Sequence, residues 1–212
     1  MATTNTAADL RDKRGNNLRE IEVPIDGGIM LVPYVEANKI TPEAIAADKK
    51  EVTLPEAYTS DCYVGLIKSD GAPQDSRDGG DTVTYYQQGY TSMGSATLTT
   101  TFTVVENNRL TRRVTLGEPD EHGVYHVTDI VQPDKWCAYQ EEVYKDGRIL
   151  RRAGVVQITG NEPSQSTPGE DKGAALTATW VPDDMYDHAA YIESIYYPPT
   201  TGTTPSAPGV GE

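Results

Sequence analysis

The sequence predicts a mainly β protein, an antiparallel β-sandwich or barrel with one or two short helices, a long loop and extended termini. Three observations carry that expectation. Residues 95–105 alternate, with Ala96, Leu98, Thr100, Phe102 and Val104 on one face and Thr97, Thr99, Thr101 and Thr103 on the other, the period-two pattern of a half-buried strand rich in β-branched residues. Asp146-Gly147 lies between two apolar runs, residues 136–144 and 148–159, which is a strong short-range hairpin signal. Nowhere does a strand alternate with a long helical period, which argues against a doubly wound α/β enzyme.

Taken in order, residues 1–20 are polar and aperiodic and read as an arm that orders on contact with a partner. Residues 21–25 alternate up to the turn Asp26-Gly27-Gly28, and residues 29–34 continue as a strand, so a loose hairpin is expected, held to edge positions by Pro24 and Pro33. Thr41-Pro42-Glu43 predicts a short helix to about residue 48, with Thr41 as N-cap, Pro42 at the first helical position and Glu43 facing the positive end of the dipole. The apolar run of residues 62–68 reads as a strand that ends at Asp70-Gly71. A loop over residues 70–81 follows, with Asp70, Asp75, Asp78 and Asp81 among three glycines, and residues 82–86 resume as a strand.

Residues 107–116 break the alternation. Leu110 and Val114 are four apart and Gly117 stands ready to cap, which predicts a short helix. Residues 123–131 alternate again and predict a strand, residues 161–173 a loop, and residues 174–181 a last regular strand with Leu176, Ala178 and Trp180 on one face. Residues 198–212 hold four prolines, three glycines and four threonines, the composition of a flexible tail. The expected organisation is one β domain over residues 21–197 between an arm and a tail.

The chain of 212 residues has 18 Lys+Arg against 32 Asp+Glu, a net charge of -14. That balance argues against a protein that grips nucleic acid by neutralising phosphates. Half of the excess lies after residue 160, where eight acids face Lys172 alone, a net of -7. No apolar run approaches the roughly 20 residues of a membrane-spanning helix, and the first residues lack the basic and apolar regions of a secretory signal. A chain made and kept in a cytoplasm is expected.

Chemical motifs are sparse. Cys62 and Cys137 sit in apolar or aromatic stretches and read as buried thiols. His122 and His126, four apart on an expected strand, would stand about 13 Å apart, too far for one metal ion. Hard oxygen ligands among glycines make the 70–81 loop the best place for calcium, but its spacing does not fit an EF-hand, and a solvated hairpin loop is the favoured reading. No cofactor or metal is expected. Arg112-Arg113 and Arg151-Arg152 are the basic doublets, expected to pair with carboxylates across a protein interface. Tyr85-Tyr86 and the tyrosines of residues 191–197 suit packing or an interface, with sugar stacking as the alternative use.

The order of several segments carries a resemblance. Val64-Gly65-Leu66-Ile67-Lys68-Ser69-Asp70-Gly71 is followed by Tyr85-Tyr86-Gln87-Gln88-Gly89, then by Thr101-Phe102-Thr103-Val104-Val105-Glu106-Asn107-Asn108 leading to Leu116-Gly117. Asp146-Gly147, Arg151-Arg152, Val155-Val156 and Leu176-Thr177-Ala178-Thr179-Trp180 complete the series. In this order the segments resemble the major tail tube proteins of long-tailed, siphovirus-type bacteriophages, over roughly residues 55–182. The tyrosine-glutamine-glycine patch departs from the pattern, since members of such families often show Trp before Gly.

The resemblance implies a structural protein without enzymatic activity, made in a bacterial host cytoplasm and located in the virion tail. It implies a β-sandwich or barrel in hexameric rings stacked into a hollow tube, meeting tape-measure, tail terminator and distal tail proteins. Genome DNA would pass through without specific binding, and acids of the central β region would line the bore, repelling DNA over a Debye length of roughly 8 Å. Asp75, Asp78 and Asp81 would lie in an inter-ring loop, and Asp70 with the two arginine doublets at subunit contacts. Two other classes compete: a β-sandwich virion or surface module that binds a glycan or protein through its aromatics, and a β-fold hydrolase using an acid pair such as Asp183-Asp184.

Overall fold

The computed structural model describes residues 13–17, 20–129 and 132–199. Most of the arm and all but the first two residues of the expected tail therefore lie outside the described residues, as do residues 130 and 131 of the strand expected over 123–131. The elements are β1 (Pro24–Pro33), β2 (Gln74–Asp78), β3 (Thr82–Thr84), β4 (Thr91–Met93), β5 (Thr97–Val104), α1 (Arg109–Leu116), β6 (Lys135–Tyr144), β7 (Ile149–Pro163), β8 (Ala174–Trp180) and β9 (Tyr191–Tyr196). The strand ladders are antiparallel, in the order β1-β6-β7-β8-β5-β2 with β9 also on β7, while β3 and β4 form a ribbon of their own. The protein is mainly β, as the alternation predicts.

The β6–β7 hairpin forms where Asp146-Gly147 places it. Gly147 takes φ 84°, and the Asp146 carboxylate accepts the Arg148 backbone N–H at 3.0 Å and its Nε at 2.5 Å. β7 then runs for 15 residues beside three partners: β6 along residues 149–157 of one edge, and on the other edge β9 along residues 149–154, then β8 from Val156. Where β9 gives way to β8, a Cβ on Gly154 would stand 2.7 Å from the Ala190 carbonyl and 3.0 Å from the Trp180 ring. Only glycine lets the two strands meet there.

The two outer parts of the sheet, β1 and β5, are joined by the residues between Tyr63 and Lys68. Met30 bridges to Tyr63 and Val64 N–H donates to the Ile29 carbonyl, while Ile67 bridges to Val104 and Lys68 N–H donates to the Thr103 carbonyl. This segment was expected as a strand. Gly65, at φ +95°, turns it, so that its first half serves β1 and its second half β5, and the sheet closes on itself. The Glu106 carboxylate accepts Leu66 N–H at 3.0 Å and packs where a Gly65 Cβ would be.

The closed sheet explains the two kinds of apolar pattern. Phe102, Val104, Leu176, Ala178 and Trp180 alternate and fill the interior with Ile29, Leu31, Trp136, Ala138 and Val156, with Val114 of α1 packed against them. Along β1 and β6 the run is continuous instead, because Met30, Val32, Cys137 and Tyr139 face a second layer built from Ile40, Ile45, Met185 and Tyr186. Strands covered on both faces carry no alternation.

α1 forms with Asn108 as N-cap, its Oδ1 accepting Thr111 N–H at 2.8 Å, and with Gly117 at φ 88° closing it. Four expectations are corrected. Residues 26–28 make no turn, because β1 runs through them with only a register shift between Pro24 and Asp26; β1 is nonetheless an outermost strand of the ladder order. Residues 41–48 are turns, since the buried Ile40 and Ile45 are five apart and a helix would point them to different sides. Residues 123–129 form no strand; the Asp120 carboxylate accepts the N–H groups of His122 and Val124, winding the chain into a turn, and Val124 and Val127 stay exposed. Residues 74–78 of the expected loop are strand β2, laid along β5. β9, over residues read only as aromatic, was not foreseen.

Replacing Gly65 with Ala should lower unfolding free energy by about 1–3 kcal/mol, the cost of a disfavoured backbone conformation. The denaturant midpoint should fall with the m-value unchanged, and a stability equal to that of the parent would contradict the closure described above.

Candidate functional site

β2 and β5 pair from Gln74↔Thr101 to Asp78↔Thr97, and the two chains then continue outward as β3 and β4, paired from Thr82↔Met93 to Thr84↔Thr91. Gly79, Gly80 and Gly94 form the waist between the two ladders; a Cβ on Gly80 would lie 2.5 Å from the Ser95 carbonyl. At the tip, Tyr85 N–H donates to the Tyr90 carbonyl at 3.1 Å and Gly89 takes φ 88°. Val83, Tyr85, Tyr86, Tyr90 and Met93 are all exposed, Tyr86 at 99% and Met93 at 77%. A two-stranded ribbon is marginally stable alone, and these exposed apolar side chains lie on both of its faces, Met93 on the face opposite to Val83 and Tyr85.

The opposite end of β5 leads to a groove of about 620 Å³. Its floor holds the buried Leu31 and Trp136, its sides Tyr63 and Leu110, and its rim Arg109 and Arg113. α1 supplies the rim and carries Arg109, Arg112 and Arg113 with no acid among its eight residues, a local charge of +3 in a chain of -14. Arg113 pairs with Glu118 and lies 5.2 Å over the Trp136 ring, and Arg112 lies 4.5 Å over Tyr125. Arg109 has no carboxylate partner among the described residues.

The other expected contact residues fall elsewhere. Arg151 is 1% exposed and donates to Glu141 at 3.2 Å and to the Lys49 and Lys50 carbonyls, anchoring the outer layer to β7. Arg152, on the other face, pairs with Glu193 at 2.6 Å and with Asp75. The carboxylates expected from a neighbouring molecule thus come from the same chain. Asp75 is also tied inward: Thr100 Oγ1 donates to it at 2.6 Å and accepts the Trp180 indole N–H at 2.9 Å. The chain Trp180–Thr100–Asp75–Arg152–Glu193 joins β8, β5, β2, β7 and β9. Burial opposes the charge on the Arg152 guanidinium, but Glu193 and Asp75 outweigh it and hold its pKa above the usual value. Asp78 and Asp81 are exposed on the hairpin stem, and Asp70 sits in a short turn before β2.

Asp183 and Asp184 do not face one another as an acid pair. Asp183 is buried and accepts Tyr34 OH and Lys135 Nζ, both at 2.8 Å, and Met185 N–H at 3.1 Å, while Asp184 is exposed beside His188. Burial pushes the Asp183 carboxyl up, yet these donors outweigh it and leave its pKa below the usual carboxylate value. Both cysteines are free, and burial raises the Cys137 thiol, making it a poor nucleophile at neutral pH. Among the described residues no group of three His, Cys, Asp or Glu is placed to hold a metal ion, and no helix is long and apolar enough to cross a membrane.

Tyr85 and Tyr86 stood out by density, with packing, an interface or sugar stacking as the uses open to them, and the structure exposes both; Val83, Met93 and Arg109 carried no such signal, because isolated polar-flanked residues carry no period. No protein-family model matches the chain, and no curated protein is similar to it.

Thr100→Val should cost about 1–3 kcal/mol, because it leaves the buried Trp180 N–H without an acceptor. Amide exchange along β2 should speed up with it. For Asp183, whose folded carboxyl holds its proton more weakly than the unfolded chain does, the stabilisation is present above the unfolded value near pH 4 and fades as pH falls through the lower folded value. Asp183→Asn should therefore lower Tm at pH 7, and the gap to the parent should narrow in acid. A gap that stays constant in acid would show that the carboxylate charge contributes nothing.

Proposed function

We propose that this chain is a structural virion protein of the phage tail tube type, which polymerises as stacked hexameric rings into an acid-lined conduit for genome DNA. The observation that carries the reading is the exposed hairpin, five large apolar or aromatic side chains on a ribbon that projects past the closed sheet. Such a ribbon gains little from its own fold and much from a partner's surface. The order of motifs along the chain, the antiparallel β architecture and the net charge of -14 support the same reading. A like-charged surface keeps subunits soluble before assembly and lets duplex DNA slide past without adhering. The expected partners beyond the chain itself are the tape-measure, tail terminator and distal tail proteins.

The outward faces of β5 and β8 qualify where the acids lie. They present threonine hydroxyls, Thr101 beside Thr177 and Thr179 bonded to Thr159, rather than carboxylates. The acidic lining in this proposal is therefore carried by loops and turns outside these two faces, with Asp70, Asp78 and Asp81 kept for contacts between subunits.

Negative-stain microscopy and sedimentation of the concentrated protein should show rings or tubes. The triple variant Tyr85→Ser, Tyr86→Ser, Tyr90→Ser should remain monomeric with an unchanged melting temperature. A chain that stays monomeric at all concentrations, yet loses binding to a glycan array in the same variant, would favour the competing surface-module reading, in which the tyrosines stack on sugars.

A further inference from the structure

The hairpin and the groove lie at opposite ends of one strand. β5 enters from the hairpin at Thr97 and leaves toward the groove at Val104, roughly 23 Å apart at about 3.3 Å per residue. The tip tyrosines are exposed, so the tip does not occupy the groove of its own chain. Two unlike surfaces facing opposite ways make a heterologous contact, which repeats from copy to copy.

We infer that the hairpin tip of one copy docks in the groove beside α1 of a second copy, head to tail along the direction of β5. The inference rests on the self-assembly reading above and names the contact that it leaves open. The groove, about 620 Å³, is of a size that takes several side chains. Its apolar floor of Leu31 and Trp136 suits the rings of Tyr85, Tyr86 and Tyr90, and Arg109 at the rim offers a cation to a tyrosine face. Of the two carboxylates in the groove, Glu106 is taken by the Leu66 N–H, and Asp61 offers an acceptor to a tyrosine hydroxyl.

Charge fixes the occupant. Arg109 opens α1, where a cation opposes the helix dipole, and nothing within the described chain neutralises it. Asp78 and Asp81 on the hairpin stem likewise have no cationic partner among the described residues. α1 is about 12 Å long, and Asp81 stands five residues before Tyr86, roughly 16 Å at most along an extended chain. With the tip in the groove, Asp81 comes within reach of Arg109 at the rim, while Asp78, eight residues before Tyr86, lies up to roughly 26 Å back and adds negative charge toward the same arginine-rich helix. Arg109 on the groove side and Asp78 and Asp81 on the hairpin side are opposite in charge, with Asp61 in the groove and Arg77 on β2 the exceptions, within a chain whose overall charge would make copies repel.

A charge exchange tests this. Arg109→Glu with Arg112→Glu alters only the groove side, and Asp78→Arg with Asp81→Arg only the hairpin side; all four residues are exposed, and melting curves of each double variant check its fold. Each variant alone should need about tenfold or more higher concentration to assemble in sedimentation, and an equal mixture of the two should recover assembly, because each hairpin then meets a groove of opposite charge. Tyr86→Ser, at the most exposed side chain, should weaken assembly without touching any charge. Parent assembly that the groove variant leaves unchanged, or a mixture that stays as weak as its components, overturns the docking while leaving self-assembly standing. A parent chain that stays monomeric at every concentration overturns both.

Discussion

The rest of the structure depends on β7 meeting three strands without a gap. Its first half is sandwiched between β6 and β9, and its second half exchanges β9 for β8 at Gly154. Adjacent residues of a strand point to opposite faces, so this one strand sends Arg151 into the outer layer and Arg152 toward the interior. A slip of one residue would exchange the two and leave both guanidiniums without their carboxylates. A buried cation without a partner is among the costlier faults a fold can carry. The register of the whole sheet is thereby tied to two charged side chains as well as to the apolar pattern.

The interior network carries that specification outward. Trp180 binds Thr100, Thr100 binds Asp75, and Asp75 binds Arg152, so the short strand β2 is pinned to the closed sheet through side chains as well as through its ladder. Beyond Asp78 no such anchor exists among the described residues. The three glycines of the waist then separate the main sheet from a ribbon whose apolar side chains face water. Folding has paired the buried side-chain polar atoms of the sheet, Gln140 Oε1 excepted among the described residues, and left the apolar surface of the hairpin unburied. A stable partner surface is the ordinary remedy for that state.

The charge is distributed in the same uneven way. The chain as a whole is strongly acidic, yet α1 holds three arginines and no acid. Screening over roughly 8 Å confines such a patch to its immediate neighbourhood at physiological salt. Long-range repulsion between like-charged copies thus coexists with one local positive patch on α1.

Much of this was legible in the sequence wherever a local pattern carries its own physics. The alternation of β5 and β8, the Asp146-Gly147 turn, and the cap residue Gly117 depend on neighbours within a few residues, and each element formed where those residues stand. The Tyr85-Tyr86 density left packing, an interface and sugar stacking open, and only the folded chain shows both side chains exposed. What the sequence left open depends on residues far apart. Residues 62–68 and 123–129 have the apolar content of strands, but one is turned by Gly65 to serve two edges and the other finds no partner strand. The arginine doublets showed that carboxylates were needed; only the folded chain decided that Glu141, Glu193 and Asp75 supply them to Arg151 and Arg152 from within. Strand identity is set by local periodicity, whereas strand pairing, burial of charge and the exposure of the hairpin are set by long-range closure of the sheet, which no window of sequence contains.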